Sequence, residues 1–383
     1  MKRGQLTFVL ACIATGCTAT TSSTTSSTTV VSTVPITTSV VPTTAITFAF
    51  TGDILPHTPL IDQAKRTAIA NSTAETQLDY DFRPMFLDIK PLISDVDVAV
   101  CHLETPIAPE GQKLSTFPFF GVPKEITTAI ADSGFDRCST ASNHTYDRGN
   151  DGIDATINAL EDAEIDQSGM ARTPEEIEPH IFTVKGIKLC HLSYTFSYNG
   201  LIMPDETQWR SAIINTQRIL RDAQRARELG SQATIVSMHW GTEKDSNANS
   251  MQTSIADELT ASGLVDLIVG HHAHVVQPTN QVNGVWVMYG LGNVLSNLPT
   301  DERWPINSQD AVIATTALTI SSSGKAVFGK PVMHPTWVDK NNGWVIRDVQ
   351  KSLQSTTTTQ GLARELELSL GRTTQVLGDY ITK

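Results

Sequence analysis

Positive charge and cysteine are both scarce in this chain of 383 residues. Against 40 acidic residues stand 28 Lys and Arg, a formal charge of −12. Such a surface argues against non-specific binding of nucleic acid. It also repels an anionic polymer at long range, so a site for an anionic substrate must supply its own positive charge, as bound metal ions would. Five cysteines occur, Cys12, Cys17, Cys101, Cys138 and Cys190, with no Cys-x-x-Cys pair. The last three lie in or beside apolar β-like runs, which favours small buried hydrophobes over a disulfide framework, although one pair could be bridged. Also missing are a Gly-x-Ser-x-Gly elbow, a phosphate loop ending in Gly-Lys-Ser/Thr and a dinucleotide fingerprint after a strand. The chemistries those motifs serve lose their support with them. Beyond the N-terminus no run of roughly 18 uninterrupted apolar residues offers a membrane span.

The N-terminal residues do not read as core. Lys2 and Arg3 form a basic head, Leu6 to Ala14 an apolar run, and Ala14-Thr15-Gly16-Cys17 a small-residue stop. Residues 1–17 therefore predict a secretory signal. Its last four residues resemble a bacterial lipoprotein cleavage box, with Ala14 where an aliphatic residue is usual. That resemblance implies a lipidated Cys17 at the mature N-terminus; an ordinary signal peptide cut nearby is the alternative. Residues 18–44 are almost entirely Thr, Ser, Val and Pro, uncharged and aperiodic, so they cannot bury enough surface to offset ordering and read as a disordered tether. Together these segments predict an exported lipoprotein anchored to the outer face of the bacterial cytoplasmic membrane.

From residue 45 strand-like and helix-like patterns alternate. Ala45–Thr51, Val96–Cys101, Phe135–Thr140, Ala233–His239 and Val265–Gly270 are apolar β runs. Phe82–Ser94, Pro123–Ser133, Asp151–Ala163, Ile213–Leu229 and Met251–Ser262 have helical spacing. His180–Val184 and Ile187–Tyr194 read as a hairpin turning at Lys185-Gly186. From Val282 onward strands prevail. This order predicts an α/β core with mixed sheets over residues 45–345, followed by a peripheral helix and tail over 346–383.

The polar residues of interest fall at strand C-terminal ends, where open α/β sheets bind ligands. Gly52-Asp53 ends the first strand, His102-Leu103-Glu104 the second and Ser142-Asn143-His144 the third, with Tyr146-Asp147 just beyond. His239-Trp240-Gly241 ends a later strand and Gly270-His271-His272-Ala273-His274 the last. In an extended or tight-turn backbone His272 and His274 reach one point together. Carboxylate, amide and imidazole donors in this set suit one or two divalent ions of the Mn, Fe or Zn kind. The same residue types have ordinary uses: Asp53 as a turn or cap residue, Asn143 as a helix cap, Glu104 as an ion-pair partner and His239 as a packed polar group.

The order of these motifs resembles the calcineurin-type metallophosphoesterase superfamily, and the local runs resemble CapA-type poly-γ-glutamate capsule biosynthesis proteins. The supporting runs are Phe50–Leu55, His102–Pro106, Ala141–Asp147, Met238–Glu243, Gly270–His274 running on to Gln277-Pro278, and Tyr289–Asn293. The resemblance implies a four-layer α/β/β/α sandwich of two mixed sheets flanked by helices. It implies Asp53 and His274 as ligands to one ion, Glu104 as the bridging carboxylate, and Asn143, His239 and His272 as ligands to a second. His144 takes the place of the proton donor, oriented by Asp147. A hydrolase acting on phosphoester or γ-glutamyl amide bonds follows from the resemblance, with an anionic polymer or phosphoester as substrate. A non-catalytic polymer-binding subunit of a membrane-anchored capsule complex is the alternative.

Departures from the pattern matter. The superfamily's first motif usually carries a His two residues after its Asp, and here that place is Leu55. The first ion then has fewer ligands or borrows His57. Glu104 stands where the wider superfamily has Asp. His102, in a place usually Asn, and His271 are additional imidazoles that could support the ligands from outside. Gly290-Leu291-Gly292-Asn293 predicts a tight loop shaping the rim of the site. His180, His191 and His334 read as structural or surface residues, and Trp209 and Trp240 as core or rim packing.

Overall fold

The computed structural model describes residues 45–73 and 78–382. The expected signal (1–17), the lipidated Cys17 and the tether (18–44) lie outside the described residues. The first part of the chain forms strands β1 (Ala45–Leu55), β2 (Val98–Leu103), β3 (Arg137–Ser139) and β4 (Asp166–Ser168). Between them run helices α1 (Thr58–Asn71), α2 (Arg83–Phe86), α3 (Lys90–Ser94), α4 (Glu125–Asp132) and α5 (Gly149–Asp162). The expected helix over 82–94 is thus split into α2 and α3, and α1 appears where no helix was read. Next come β5 (Ile181–Val184), β6 (Ile187–Thr195), α6 (Thr216–Glu228), β7 (Ala233–His239), α7 (Ser250–Ala261) and β8 (Leu267–His271). Strands β9 (Thr279–Val282), β10 (Val285–Met288), β11 (Leu295–Ser296), β12 (Asp310–Ile320), β13 (Ala326–Phe328), β14 (Val332–Asp339) and β15 (Val345–Asp348) follow, then α8 (Val349–Gln354) and α9 (Gln360–Leu377).

Two mixed sheets result. One has the order β15-β14-β12-β1-β2-β3-β4, with β11 beside β1 and β13 beside β12; the other runs β5-β6-β7-β8-β10-β9. The alternation of side chains along each strand builds the layers. Ile46, Phe48 and Phe50 of β1 and Val98 and Val100 of β2 meet Leu189, Ala233, Ile235, Leu267 and Val269 of the other sheet, forming the core between the sheets. Ala49, Ala99, Cys101 and Leu103 face the other way and pack under α1 to α5. On the second sheet Cys190, Leu192, Val236, Met238 and Ile268 pack under α6 and α7. The sandwich is therefore α/β/β/α, as the sequence led one to expect.

Cys101 and Cys138 occupy paired positions on β2 and β3 and form a disulfide, while Cys190 is free and buried. The sequence favoured buried hydrophobes while leaving one bridged pair open; the structure has that pair. Both bridged residues are helix-facing apolar positions, so burial and pairing coincide, and burial alone cannot tell them apart. The expected boundary at 345 falls at the start of β15, which pairs with β14 in the larger sheet. Helix α9 is tied to the start of β12 by Arg372 and Ser369, which donate to the buried Asp310 carboxylate at 2.6 to 2.7 Å.

Candidate metal centre

The same alternation that makes the inter-sheet core delivers the histidines. On β2, His102 is in phase with Val98 and Val100; on β7, His239 is in phase with Ala233 and Ile235; on β8, His271 is in phase with Leu267 and Val269. All three thus project between the sheets at the strand ends, where the apolar filling stops. Their rings stack, His102 on His271 at 4.0 Å between centroids and on His239 at 5.0 Å.

Asp53 would be out of phase if β1 were regular. The pairing of β1 with β2 shifts between Phe50 and Asp53, so that Phe50 faces Val100 but Asp53 faces His102. This bulge inserts one residue and turns the carboxylate from the helix side into the inter-sheet side. Gly52 sits in the bulge under the Gly292 carbonyl, which a Cβ would overlap. The Asp53 amide donates to that same carbonyl at 2.9 Å. His272 and His274 follow β8 in a turn in which both adopt positive φ, +92° and +57°, a conformation costly for non-glycine residues and found where surroundings over-determine it.

The sequence-predicted ligands converge. Asp53 Oδ1 lies 3.4 Å from His271 Nδ1, and Asp53 Oδ2 lies 3.3 Å from His274 Nδ1. His274 Nε2 stands 3.6 Å from Glu104 Oε1. His239 Nε2 faces Asn143 Oδ1 at 3.0 Å, about the separation of two ligands each ~2.1 Å from one ion and at right angles about it. Among the described residues, Asp53, Glu104 and His274 bring one donor atom each within 4.8 Å of one another, as do Asp53, His102 and His271, and Glu243, His272 and His274. Asp53 Oδ1, both Glu104 carboxylate oxygens, His271 Nδ1 and His272 Nδ1 are buried without a hydrogen-bond partner. Buried polar atoms are seldom left so. An oxygen-and-nitrogen donor set with this many orphaned acceptors fits a divalent cation.

The surrounding groups fix the imidazoles. Asn293 Oδ1 accepts from His274 Nδ1 at 2.8 Å, while its amide donates to the His274 and Ser308 carbonyls. Gly290–Asn293 therefore lies behind the ligands as a buried support, where the sequence suggested a rim. His102 bonds Ser139 Oγ through Nδ1 and His239 Nδ1 through Nε2, at 2.8 and 2.9 Å, the outer partners that set tautomer and ring orientation at metal sites. His57 sits elsewhere: its Nδ1 accepts from the Asn297 amide at 3.3 Å and its ring is edge-on to Phe120. It belongs to no ligand grouping among the described residues. Leu55 is buried in the helix-side core.

Beside these candidate ligands is a separate pair. His144 Nδ1 donates to Asp147 Oδ2 at 2.7 Å, and the same oxygen accepts from the Phe120 amide at 2.7 Å. Phe120 sets its edge against the His144 ring, and Asn199 reaches both Asn143 and His144. Sequence reasoning missed Asn199, Phe120, Ser139, Asn293 and Glu243 as parts of the site. Glu243 and Asn293 lie within the runs Met238–Glu243 and Tyr289–Asn293, and Ser139 ends strand β3; Asn199 and Phe120 come from loops whose approach no local pattern encodes. His191 is a buried structural residue, bonded by Arg137 and Ser237 between the sheets. Trp240 is core, its Nε1 donating to the Tyr289 carbonyl.

Burial would raise the Asp53 carboxyl, but the facing imidazoles of His271 and His274 hold it below its ordinary range. Burial would lower His274, yet Glu104 and Asp53 outweigh it and raise the imidazole to about 10. Burial pushes Glu104 well up, and pushes His102 and His239 well down and His272 down to about 3. A cation held by His274 must displace the proton that Glu104 and Asp53 stabilise there, so uptake of Mn(II) or Zn(II) is expected to release protons and to strengthen as pH rises. The gain is about tenfold per pH unit for each proton displaced. Calorimetry in two buffers of different ionisation enthalpy reads the release; affinity independent of pH across the neutral range contradicts it.

The fold is thus a sandwich of two mixed sheets flanked by helices, with an oxygen-and-nitrogen pocket at its strand ends. Residues 47–298 match the family described as Bacterial capsule synthesis protein PGA_cap, and the chain belongs to that family. It is 25% identical over 243 residues to the capsule biosynthesis protein CapA of Bacillus anthracis, covering 61% of this chain and 57% of that protein. It is 24% identical over 242 residues to the PGA biosynthesis protein CapA of Bacillus subtilis strain 168, covering 60% of each. The chain thus spans about three fifths of the length of these curated relatives. Among solved structures it is similar to the calcineurin-like phosphoesterase YfkN from Bacillus subtilis, with a TM-score of 0.47 and 14% identity over 86% of this chain and 100% of that one.

Proposed function

We propose that the folded part is a metal-dependent hydrolase of the capsule family, acting on a phosphoester or on the γ-glutamyl amide of an anionic polymer during capsule synthesis or export. It is held at the outer face of the cytoplasmic membrane through a lipidated Cys17 and works beside a capsule synthesis complex. The observation that carries this reading is the convergence of Asp53, Glu104, Asn143, His239, His272 and His274, with several buried donor atoms unpartnered, next to the His144–Asp147 pair. One or two divalent ions (Mn, Fe or Zn) bound by these residues would lower the pKa of a water and offset charge on a developing oxyanion. The chain's own residues do the rest. With Nδ1 committed to Asp147, His144 has Nε2 left to pass a proton to a leaving atom. Asp147 accepts two hydrogen bonds on one oxygen and fixes the ring. Phe120 and Phe196 pack their rings against His144 and His272.

Leu55 favours a second reading, a non-catalytic subunit that holds the anionic polymer, because the histidine of the first motif is absent. Metal content and turnover separate the two. Bound Mn, Fe and Zn are measured on freshly purified protein, and phosphodiester and γ-glutamyl substrates are compared with His272→Ala. Turnover that His272→Ala abolishes supports the hydrolase. Polymer binding without turnover under any of the three metals supports the subunit and ends the enzymatic reading.

A further inference from the structure

We infer that Glu243 is a ligand to the ion that His274 holds, supplying a donor where Leu55 offers none; this rests on the metal reading above. Glu243 lies four residues past the end of β7, and its carboxylate lies within 4.8 Å of donor atoms of His272 and His274. Unlike those two histidines it is exposed to solvent, so the ordinary alternative is a hydrated surface carboxylate. The local backbone argues otherwise. Gly241 turns the chain at φ +96°, packed against the Gln252 side chain, and Lys244 takes φ +70°. The Lys244 amide then donates to the Ala273 carbonyl at 2.8 Å, between the two histidines. The residue next to Glu243 is thus pinned to the residue between His272 and His274.

The side chain of Lys244 is directed elsewhere. Its Nζ stands 4.3 Å from the centre of the Trp304 ring, and Trp304 is edge-on to His274 at 5.5 Å. Lys244 is thereby engaged away from the neighbouring carboxylate, which is left to face the two imidazoles. His272 Nδ1 is buried with no hydrogen-bond partner. Two imidazoles and a carboxylate form a donor set that binds Mn, Fe, Co or Zn. Asp53, Glu104 and His274 form the adjoining set, which shares His274. A carboxylate arriving from the solvent side would close the open face of that shared position.

Cobalt(II) tests this without recourse to turnover. The full chain and its Glu243→Gln and Glu243→Asp variants are titrated with Co(II), followed by the visible ligand-field spectrum and by metal analysis after equilibrium dialysis. Far-UV circular dichroism checks that each variant is folded. Glu243→Gln is expected to weaken the binding of one ion by at least about tenfold and to change the spectrum, with Glu243→Asp restoring part of both. Wild-type and Glu243→Gln proteins with equal stoichiometry, affinity and spectra would overturn the assignment of Glu243 alone. No cobalt uptake by the wild-type chain would remove the metal reading and this inference with it.

Discussion

His144→Ala is expected to lower kcat by about 10²- to 10⁴-fold while leaving the metal content of the protein unchanged. His144 is in none of the groups of donor atoms among the described residues, whereas its Nδ1 is tied to Asp147 at 2.7 Å. The arrangement separates holding a cation from moving a proton. An imidazole whose Nδ1–H is anchored to a carboxylate keeps one orientation, and its doubly protonated form presents Nε2–H to a leaving atom. Asp147→Asn keeps the shape of the pair but replaces an acceptor that serves both His144 and the Phe120 amide. It should fall between wild type and His144→Ala in kcat, again with full metal content. Steady-state kinetics with metal analysis on the same preparations decides the matter. Loss of metal in His144→Ala would mean that the ring belongs to the ligand set.

Asp53→Ala should do the reverse, removing metal binding and also unsettling the metal-free protein. The Asp53 carboxylate is fully buried and faces two imidazoles, His271 at 3.4 Å and His274 at 3.3 Å. It also accepts from the His272 amide at 3.3 Å. Removing one partner of a buried ion pair strands the other, at a cost of about 3–5 kcal/mol. The destabilisation should appear in denaturant unfolding of chelator-treated protein. His272→Ala removes an imidazole that burial already keeps neutral, and should lose metal with a much smaller change in that midpoint. Equal stability losses in the two variants would contradict the role given to Asp53.

What the sequence made legible follows from period and place. Ala233–His239 read directly as a strand, and the hairpin at Lys185-Gly186 turned where expected. The strand-end residues were found because the apolar runs stop where chemistry begins, and their spread over residues 53–274 already implied convergence. The orientation of Asp53 was not legible. Nothing in Phe50-Thr51-Gly52-Asp53 announces a bulge, and strict alternation would have turned the carboxylate under the helices. The supports were hidden for a related reason. Asn293 and Asn199 reach His274 and His144 from loops 19 and 55 residues away, by backbone paths that no short pattern specifies. The Cys101–Cys138 bridge was obscured because both positions also satisfy the apolar face they sit on.

Two glycines carry a constraint as severe as that on the ligands. Gly52 passes beneath the Gly292 carbonyl, and Gly270 passes beneath the Tyr289 carbonyl with the Trp240 indole alongside. Each lies within two positions of a residue assigned to the cation, and in each case the obstructing atom belongs to main chain that cannot swing aside. A saturation screen scored on biological output should therefore rank Gly52 and Gly270 with Asp53 and His272. Alleles at these two positions would pass for active-site lesions although neither residue has a side chain to contribute.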